Sequence, residues 1–465
     1  MISIDFIHNT IFFLQRRVHR CFLASAILLL MLLSISTWAI GQNLAAIQNK
    51  TAQPQSKNVQ PMLQPYFNYA LTADDNMLRL RKSFIRDPEG SFPDNPELAA
   101  LIRQGKLADI TNRLTGGIQF DKTISRQRLT ADFNWTYTKF ERFSFMNTNL
   151  ISTNGNWNWV LGNRLEGNMG ASYVQSLLPL IFIPGTQVIR TEQTQFFNGA
   201  WRFHPSWSLH GEYTRYTMDT KSNSALTGFN NFRFLERTEN RFEGGLDYIT
   251  AKRNTVGVFF RAILGDFSAP LSSINPNISG SNDFTQMEAM GKVNWNLTDK
   301  SRVQLMGGWV DRSNASFKER DFSGFNARGT YFWEPTEKLG LAVSGWRITS
   351  SMNNLTANFG LNTGVSLVPY WNISEKVRLE GDFSYETRNF NRFTVVTDTP
   401  LAVGRHNTFR NAALRLIYTP YLGLQLNASI YHTDFDTDAI RNNVPTGGFN
   451  ANGASIGLQY VYGKR

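Results

Sequence analysis

Apolar and polar residues alternate one by one along much of this chain. Val377, Leu379, Gly381, Phe383 and Tyr385 interleave with Arg378, Glu380, Asp382 and Ser384. Leu129, Ala131, Phe133, Trp135 and Tyr137 interleave with Thr130, Asp132, Asn134 and Thr136, and Leu424, Leu426, Ala428 and Ile430 with Gln425, Asn427 and Ser429. A period of two sends successive side chains to opposite faces, so these segments predict strands with one apolar and one polar face. Two architectures use such strands. In a soluble sandwich the apolar faces meet each other; in an outer-membrane barrel they meet lipid while the polar faces line a lumen.

The connections separate the two. Tight polar turns are predicted at Ser125-Arg126-Gln127, Leu161-Gly162-Asn163, His204-Pro205-Ser206, Ala251 to Asn254, Leu297 to Lys300, Glu334 to Glu337, Asn372 to Glu375 and Thr419-Pro420-Tyr421. Between them run long irregular loops, such as Asp266 to Asp283 and Arg388 to Asn407. Short turns at one end and long loops at the other mark a bacterial outer-membrane barrel, with the turns in the periplasm. From Pro65 to Tyr462 the segments amount to about eighteen strands, sixteen at the fewest, an even number as such barrels require. The expected fold is therefore all-β: a transmembrane antiparallel barrel over residues 62–465, wide enough for an aqueous passage.

Aromatic residues fall where that fold wants them. Trp201, Trp295, Trp333, Trp371 and Tyr418 each precede a tight turn, and Trp309, Tyr385 and Tyr213 mark the other end of the apolar bands. Two belts of amphipathic rings at the membrane interfaces account for both sets. Trp346 has the polar parity of its strand, which calls for a bulge or a lumenal ring. One segment is helical instead. Asp94-Asn95-Pro96-Glu97 supplies a cap and a first-turn proline, Leu98 to Gln104 the body, and Gly105 the stop. This helix, Pro96 to Gln104 in the first long loop, either covers the mouth as a lid or merely orders the loop.

The chain begins differently. Arg16, Arg17 and Arg20 precede an apolar stretch from Cys21 to Ile40, and Ala39-Ile40-Gly41 offers small residues for cleavage, so 1–41 reads as a secretory signal peptide. Residues 42–61, polar and Gln-rich, read as a flexible periplasmic leader. Removing 41 of the 465 residues takes away the one cysteine and lowers the net charge from +11 to +9, since three Arg and Asp5 are lost. A mean hydropathy of −0.30 excludes a bundle of membrane helices, and 42% hydrophobic residues excludes a disordered chain. In a barrel that low average is a wet lumen plus long loops around a thin apolar band.

Candidate chemistry is sparse. Extrapolated parity sends Arg202, Arg261, Lys292, Arg328, Arg378 and Arg415 inward, with Asp132, Glu166, Glu212, Glu243, Asp247, Glu288, Glu380 and Asp382. Such a mixed wall predicts weak ion selectivity and many groups able to hydrogen-bond hydroxyls. His210 and Glu212 share the inward parity, the one hint of a barrel hydrolase, but no motif supplies a nucleophile. His432, Asp434, Asp436 and Asp438 share a face near the outer edge and lack the Gly and Glu of a calcium loop, so they read as a polar rim. No catalytic residue, metal site or cofactor is expected. The basic balance suits contacts with lipopolysaccharide phosphates or an acidic polymer, and nucleic acid is not an expected partner.

From Pro65 to Leu80 an aromatic strand, Tyr66-Phe67-Asn68-Tyr69, runs into Asp74-Asp75-Asn76 and then Met77-Leu78-Arg79-Leu80. This stretch resembles the opening strand of the EpsL family, predicted outer-membrane barrels encoded with exosortase-linked exopolysaccharide biosynthesis, and the wider barrel-porin group. The resemblance covers the mature chain in outline, although only Asp74, Asp75, Asn76 and their neighbours are specific, and Met77-Leu78 departs from an apolar-aromatic pair. It implies a pore in the outer membrane that passes newly made extracellular polysaccharide, served by periplasmic export components, with the lumenal charges as candidate polymer contacts. The residues themselves leave two further readings: a general diffusion or uptake porin for small solutes, and a barrel enzyme or structural surface protein.

Overall fold

The computed structural model describes residues 62–92, 95–178, 180, 187–222, 235–270, 280–316, 318, 321–354, 357–390, 405–438, 440–441, 444–445 and 447–463. The signal peptide expected at 1–41, the leader at 42–61 and Lys464-Arg465 lie outside the described residues, as does Asp94.

The strands are β1 (Leu63–Asp74), β2 (Asp109–Ile124), β3 (Gln127–Phe140), β4 (Thr148–Leu161), β5 (Leu165–Leu177), β6 (Val188–His204), β7 (Trp207–Ser222), β8 (Arg237–Ile249), β9 (Thr255–Phe267), β10 (Phe284–Thr298), β11 (Ser301–Asn314), β12 (Phe322–Trp333), β13 (Leu339–Asn354), β14 (Ala357–Asn372), β15 (Val377–Phe390), β16 (Arg405–Tyr421), β17 (Leu424–Thr437) and β18 (Phe449–Val461). Each pairs antiparallel with the next, and β1 pairs with β18 from Tyr66↔Val461 to Asp74↔Gly453, so the 18-stranded sheet closes on itself. Closure removes every edge, the condition under which strands can cross a bilayer.

The outer surface follows from the two-residue period. Phe260 is 71% exposed and its neighbour Phe259 1%, two identical residues sent to opposite faces. Phe133, Trp135, Val258, Leu305, Leu414 and Ile456 are exposed in the same way. A continuous band of large exposed apolar residues is intolerable in water and is the normal outer face of a barrel in lipid. With Trp201, Trp295, Trp333, Trp371 and Tyr418 exposed beside the tight turns, and Trp309, Tyr385 and Tyr213 at the opposite end, both belts are present. The chain is an outer-membrane β-barrel.

Seven of the eight predicted turns join the strands expected. The eighth lies two residues further on, at Leu422-Gly423, with β16 running through Tyr421. Pro420 has no N–H to give the ladder, so the register slips between Tyr418 and Tyr421 and the reversal waits for Gly423, at φ 94°. Trp346 is a lumenal ring, not a bulge: it is buried, its Nε1 donates to Glu386 Oε2 at 2.9 Å, and Gly364 beside it leaves the room.

Where one helix was expected, the first loop carries three: α1 (Lys82–Arg86), α2 (Pro88–Ser91) and α3 (Pro96–Arg103). The extra turns have local causes that a core-seeking pattern misses, since Asp87 caps α2 by accepting from Gly90 N at 3.1 Å and Pro88 occupies its first position. In α3, Asn95 Oδ1 accepts from Leu98 N at 3.0 Å, and Gly105 at φ 69° ends the helix. Leu98, Ala99 and Ile102 form its buried face. Leu98 and Ile102 join Met77, Leu78, Leu80, Phe140, Phe143, Met146, Leu177 and Leu180 in one apolar cluster. Fully burying each such Leu or Ile stabilises by about 1.5–3 kcal/mol, so α3 is docked and not merely adjacent.

Candidate functional site: the lumen wall and its mouth

The inward face of the strands is polar and largely buried, and its charges are arranged in small networks. On β7 to β10, Arg261 reaches Glu243 at 2.6 Å and Glu288 at 2.9 Å, while Lys292 lies 2.9 Å from Asp247. His210 sits between them, 2.8 Å from Asp247 and 3.4 Å from Glu243. On β15 and β16, Glu380 lies 2.8 Å from Arg378 and 3.7 Å from Arg415. Asp382 follows on the same face, opposite Ala413. Arg328 lies over the Trp346 ring at 5.9 Å. Asp132 accepts from Tyr66 at 3.2 Å and Asn134 at 2.9 Å, and Arg202 meets Glu166 at 3.1 Å near the periplasmic end. The residues singled out from parity lie on the inward face, and three sets of them are brought together: around Arg261 with Lys292, around Glu380, and Arg202 with Glu166. Asp132 and Arg328 have other neighbours, Asp132 meeting Tyr66 and Asn134, and Arg328 the Trp346 ring.

His210 and Glu212 do not form the pair that the sequence suggested. Glu212 accepts instead from the Thr214 hydroxyl at 3.0 Å. The register is the reason: His210 pairs across the strands with Gly245, which has no side chain, so the imidazole lies over it between Glu243 and Asp247. His210 thus meets the carboxylates of the adjacent β8. His432 and Asp434 to Asp438 separate into polar-rim contacts, with Asp434 on Arg410 at 2.5 Å and Asp438 accepting from His406 N at 2.6 Å.

Parity also carried a signal that went unread. Arg237, Glu239 and Arg241 alternate on β8, and Glu239 bridges the two arginines at 2.8 and 2.9 Å in full burial. Asn168 and Asn198 join across β5 and β6, Asn168 N donating at 3.0 Å. Removing one partner from such a buried pair is costly, about 3–5 kcal/mol, which makes these networks rigid walls.

Burial is uneven along the axis. Asp109 and Thr111 at the extracellular end of β2 are buried, while Asp121 and Thr123 at its periplasmic end are exposed. The first loop is the cause. After β1, Asp74 holds Arg79 in a bidentate pair at 2.7 and 2.6 Å, with the Tyr431 hydroxyl on the same carboxylate. Burial disfavours the Arg79 charge, but the Asp74 carboxylate outweighs it and keeps the guanidinium above its ordinary value. Asp75 accepts from Asn452 N and Nδ2 at 2.7 and 2.8 Å. Asn76 Oδ1 accepts from Leu80 N, and its Nδ2 donates to the Leu80 and Asn450 carbonyls. Arg81 then covers Phe435, which packs with Phe409 and Phe449 inside the mouth. Asp109 accepts from the backbone of Arg142 and Phe143 at 2.8 and 2.9 Å. The loop is pinned to the wall from β17 round to β5, and Asp74-Asp75-Asn76 is its anchor.

No family model and no curated protein matches the chain. Among solved structures it is similar to OccK1 (OpdK) of Pseudomonas aeruginosa, at 10% identity over 86% of this chain and 99% of that one, with a TM-score of 0.44. OccK2 (OpdF) of the same organism, in complex with glucuronate, aligns at 8% identity over 86% and 97%, TM-score 0.43. The siderophore receptor PirA of Acinetobacter baumannii aligns at 8% identity over 88% and 81%, TM-score 0.43. Scores this low carry nothing about function, and the barrel architecture rests on the strand pairing and the lipid-facing band themselves.

Proposed function

We propose that the chain is a non-catalytic outer-membrane channel for small polar solutes, taken up through a mouth narrowed by its first loop. The observation that carries this reading is the docking of the first loop at the extracellular end, where Leu80, Leu98 and Ile102 share one buried cluster with Phe140, Phe143 and Leu177. A polymer moving outward would have to displace that cluster, whereas a small solute needs only a gap beside it. The wall supports the same reading. Many of its acids and bases are paired, as around Arg261, Glu239 and Glu380, so it offers donors and acceptors of both signs without a strong field of either, which suits neutral or zwitterionic solutes. Export of exopolysaccharide, the second reading, draws on the resemblance at Asp74, Asp75 and Asn76 alone, and their contacts are those of a loop anchor.

The test reconstitutes the mature barrel in planar bilayers and liposomes beside a gene deletion. Steady conductance, swelling with monosaccharides and amino acids, and unchanged secreted polymer in the deletion strain are expected. A barrel that passes no small solute, together with loss of secreted polymer on deletion, overturns the uptake reading in favour of export.

A further inference from the structure

Four inward arginines of the described wall share one arrangement. Arg237 lies over the Tyr216 ring at 5.6 Å and meets Glu239 at 2.8 Å, and Arg261 lies over Phe259 at 5.0 Å and meets Glu243 at 2.6 Å. Arg378 lies over Tyr370 at 4.2 Å with Glu380 at 2.8 Å, and Arg388 over Phe409 at 4.4 Å with Glu386 at 2.5 Å. Each guanidinium is held between a ring face, whose quadrupole attracts it, and a carboxylate. Ring, carboxylate and cation thus occur in this wall as a set.

One place has the first two without the third. Tyr66 on β1 lies across Gly117 of β2: a Cβ on that glycine would overlap the ring, so the phenol lies along the wall and turns one face to the lumen. Its hydroxyl donates to Asp132 Oδ1 on β3 at 3.2 Å, and Asn134 Nδ2 donates to the same oxygen at 2.9 Å. Tyr66 and Asp132 are both half-buried. Among the described residues no cation lies over the Tyr66 ring, Asp132 forms no ion pair, and its Oδ2 accepts no hydrogen bond. Arg128, on the same strand toward the periplasm, is engaged by Asp121 at 2.5 Å. Gln119 and Asn154 flank Asp132 across the ladder and bring amides without charge. The patch therefore combines an open aromatic face with one uncompensated negative charge. It stands on the periplasmic side of Asp74 along β1, below the docked first loop.

We infer that this patch binds the cationic head of a small solute, an alkylammonium or guanidinium group, in the position that an arginine fills at the four other rings. Such a head meets the ring face and Asp132 Oδ2 together, and the amide oxygens of Gln119 and Asn154 accept its remaining N–H groups. A neutral polyol fits less well, because it leaves the carboxylate uncompensated, and an anion is repelled by it. The inference rests on the uptake reading and deepens it: organic cations, and zwitterions through their cationic end, are the solutes that the lumen selects.

Saturation-transfer NMR of the folded mature barrel in detergent, titrated with choline, tests the site without requiring passage. Saturable binding is expected, and dimethylbutanol, the uncharged isostere of choline, should not compete. Asp132→Asn, which keeps the size of the side chain, and Tyr66→Leu, which removes the ring, should each weaken choline binding roughly tenfold, the scale of one cation–π or charge-assisted contact. Tyr66→Phe keeps the ring and should stay within about threefold of the wild type. Heat-modifiable migration verifies that each variant is folded. Absent binding, or binding unchanged in both Asp132→Asn and Tyr66→Leu, overturns the site, and equal binding of dimethylbutanol or glucose overturns the cationic assignment. A barrel that binds choline at Asp132 and Tyr66 but passes no small solute into liposomes keeps the site and refutes uptake instead.

Discussion

Arg79→Ala should undock the first loop while leaving the barrel intact. Arg79 adopts a left-handed backbone conformation, φ 55°, which a non-glycine residue enters at a cost of roughly 1–2 kcal/mol. The conformation persists because the guanidinium meets Asp74, whose side chain is 0% exposed, with two bonds at 2.7 and 2.6 Å. Truncation leaves that carboxylate buried with only the Tyr431 hydroxyl and the Asn76 N–H. Alanine keeps the Cβ that makes this backbone strained, so the strain is unchanged, and breaking a buried pair from one side costs about 3–5 kcal/mol. At 1.36 kcal/mol per decade, loop opening should become about two to four powers of ten more frequent. Hydrogen exchange at Met77, Leu78 and Leu80 reads this directly, with amides on β9 and β10 as the internal reference. The double variant Asp74→Asn with Arg79→Leu, which removes both charges, should lose far less than Arg79→Ala. Unchanged exchange at Leu78 and Leu80 in Arg79→Ala, in a barrel of normal heat-modifiable mobility, would refute the anchor.

Leu98→Asp buries an unpaired carboxylate in the loop cluster and should raise single-channel conductance in planar bilayers; an unaltered step size would mean that the loop does not narrow the passage. Phe260→Arg on the lipid face should destabilise the barrel by about 2–4 kcal/mol if the residue lies near the midplane, measured by denaturant unfolding from vesicles, and a neutral result would contradict the outward assignment of its strand. Gly364→Ala sets a methyl carbon 2.5 Å from the Trp346 ring and 2.8 Å from the Tyr385 carbonyl; overpacking of this kind costs about 1–3 kcal/mol and should lower the unfolding midpoint, whereas a wild-type midpoint would show that the ring has room to move.

The barrel was legible because its causes are local. A period of two and a reversal every dozen or so residues are written in each hairpin, as in Leu129 to Tyr137, and neighbouring strands pair in chain order. Inward and outward faces followed from parity alone, even for Trp346, whose polar parity had required a special explanation. What parity could not convey was partnership. His210 shares a face with Glu212, yet it lies against Asp247 and Glu243 because the register between β7 and β8 places them there, and register depends on where each turn closes. The Pro420 slip shows how one missing N–H moves a turn by two residues. The first loop was least legible of all. Its three short helices are stabilised by Asp87, Asn95 and a cluster gathered from β3, β5 and the loop itself, none of which leaves a periodic trace. Asp74, Asp75 and Asn76 were visible as a motif, but their work as a clamp depends on Tyr431, Asn450 and Asn452, near the other end of the chain.

That distance has a consequence for biogenesis. Asp75 and Asn452 are 377 positions apart, whereas every other pair of adjacent strands is joined by a single turn or loop. Hairpins can therefore zip up in order, but the seam between β1 and β18 waits for the last strand, and the clamp forms only then. Until that moment β1 carries a raw edge across the periplasm, and raw edges recruit other chains. Contacts of such long range also slow folding, since their loop-closure entropy is lost before they reward it. Assembly of this barrel is thus gated by its final thirteen-residue strand, Phe449–Val461: a chain cut short of Phe449 would present two open edges and an unclamped loop, a substrate for chaperones and proteases instead of a pore.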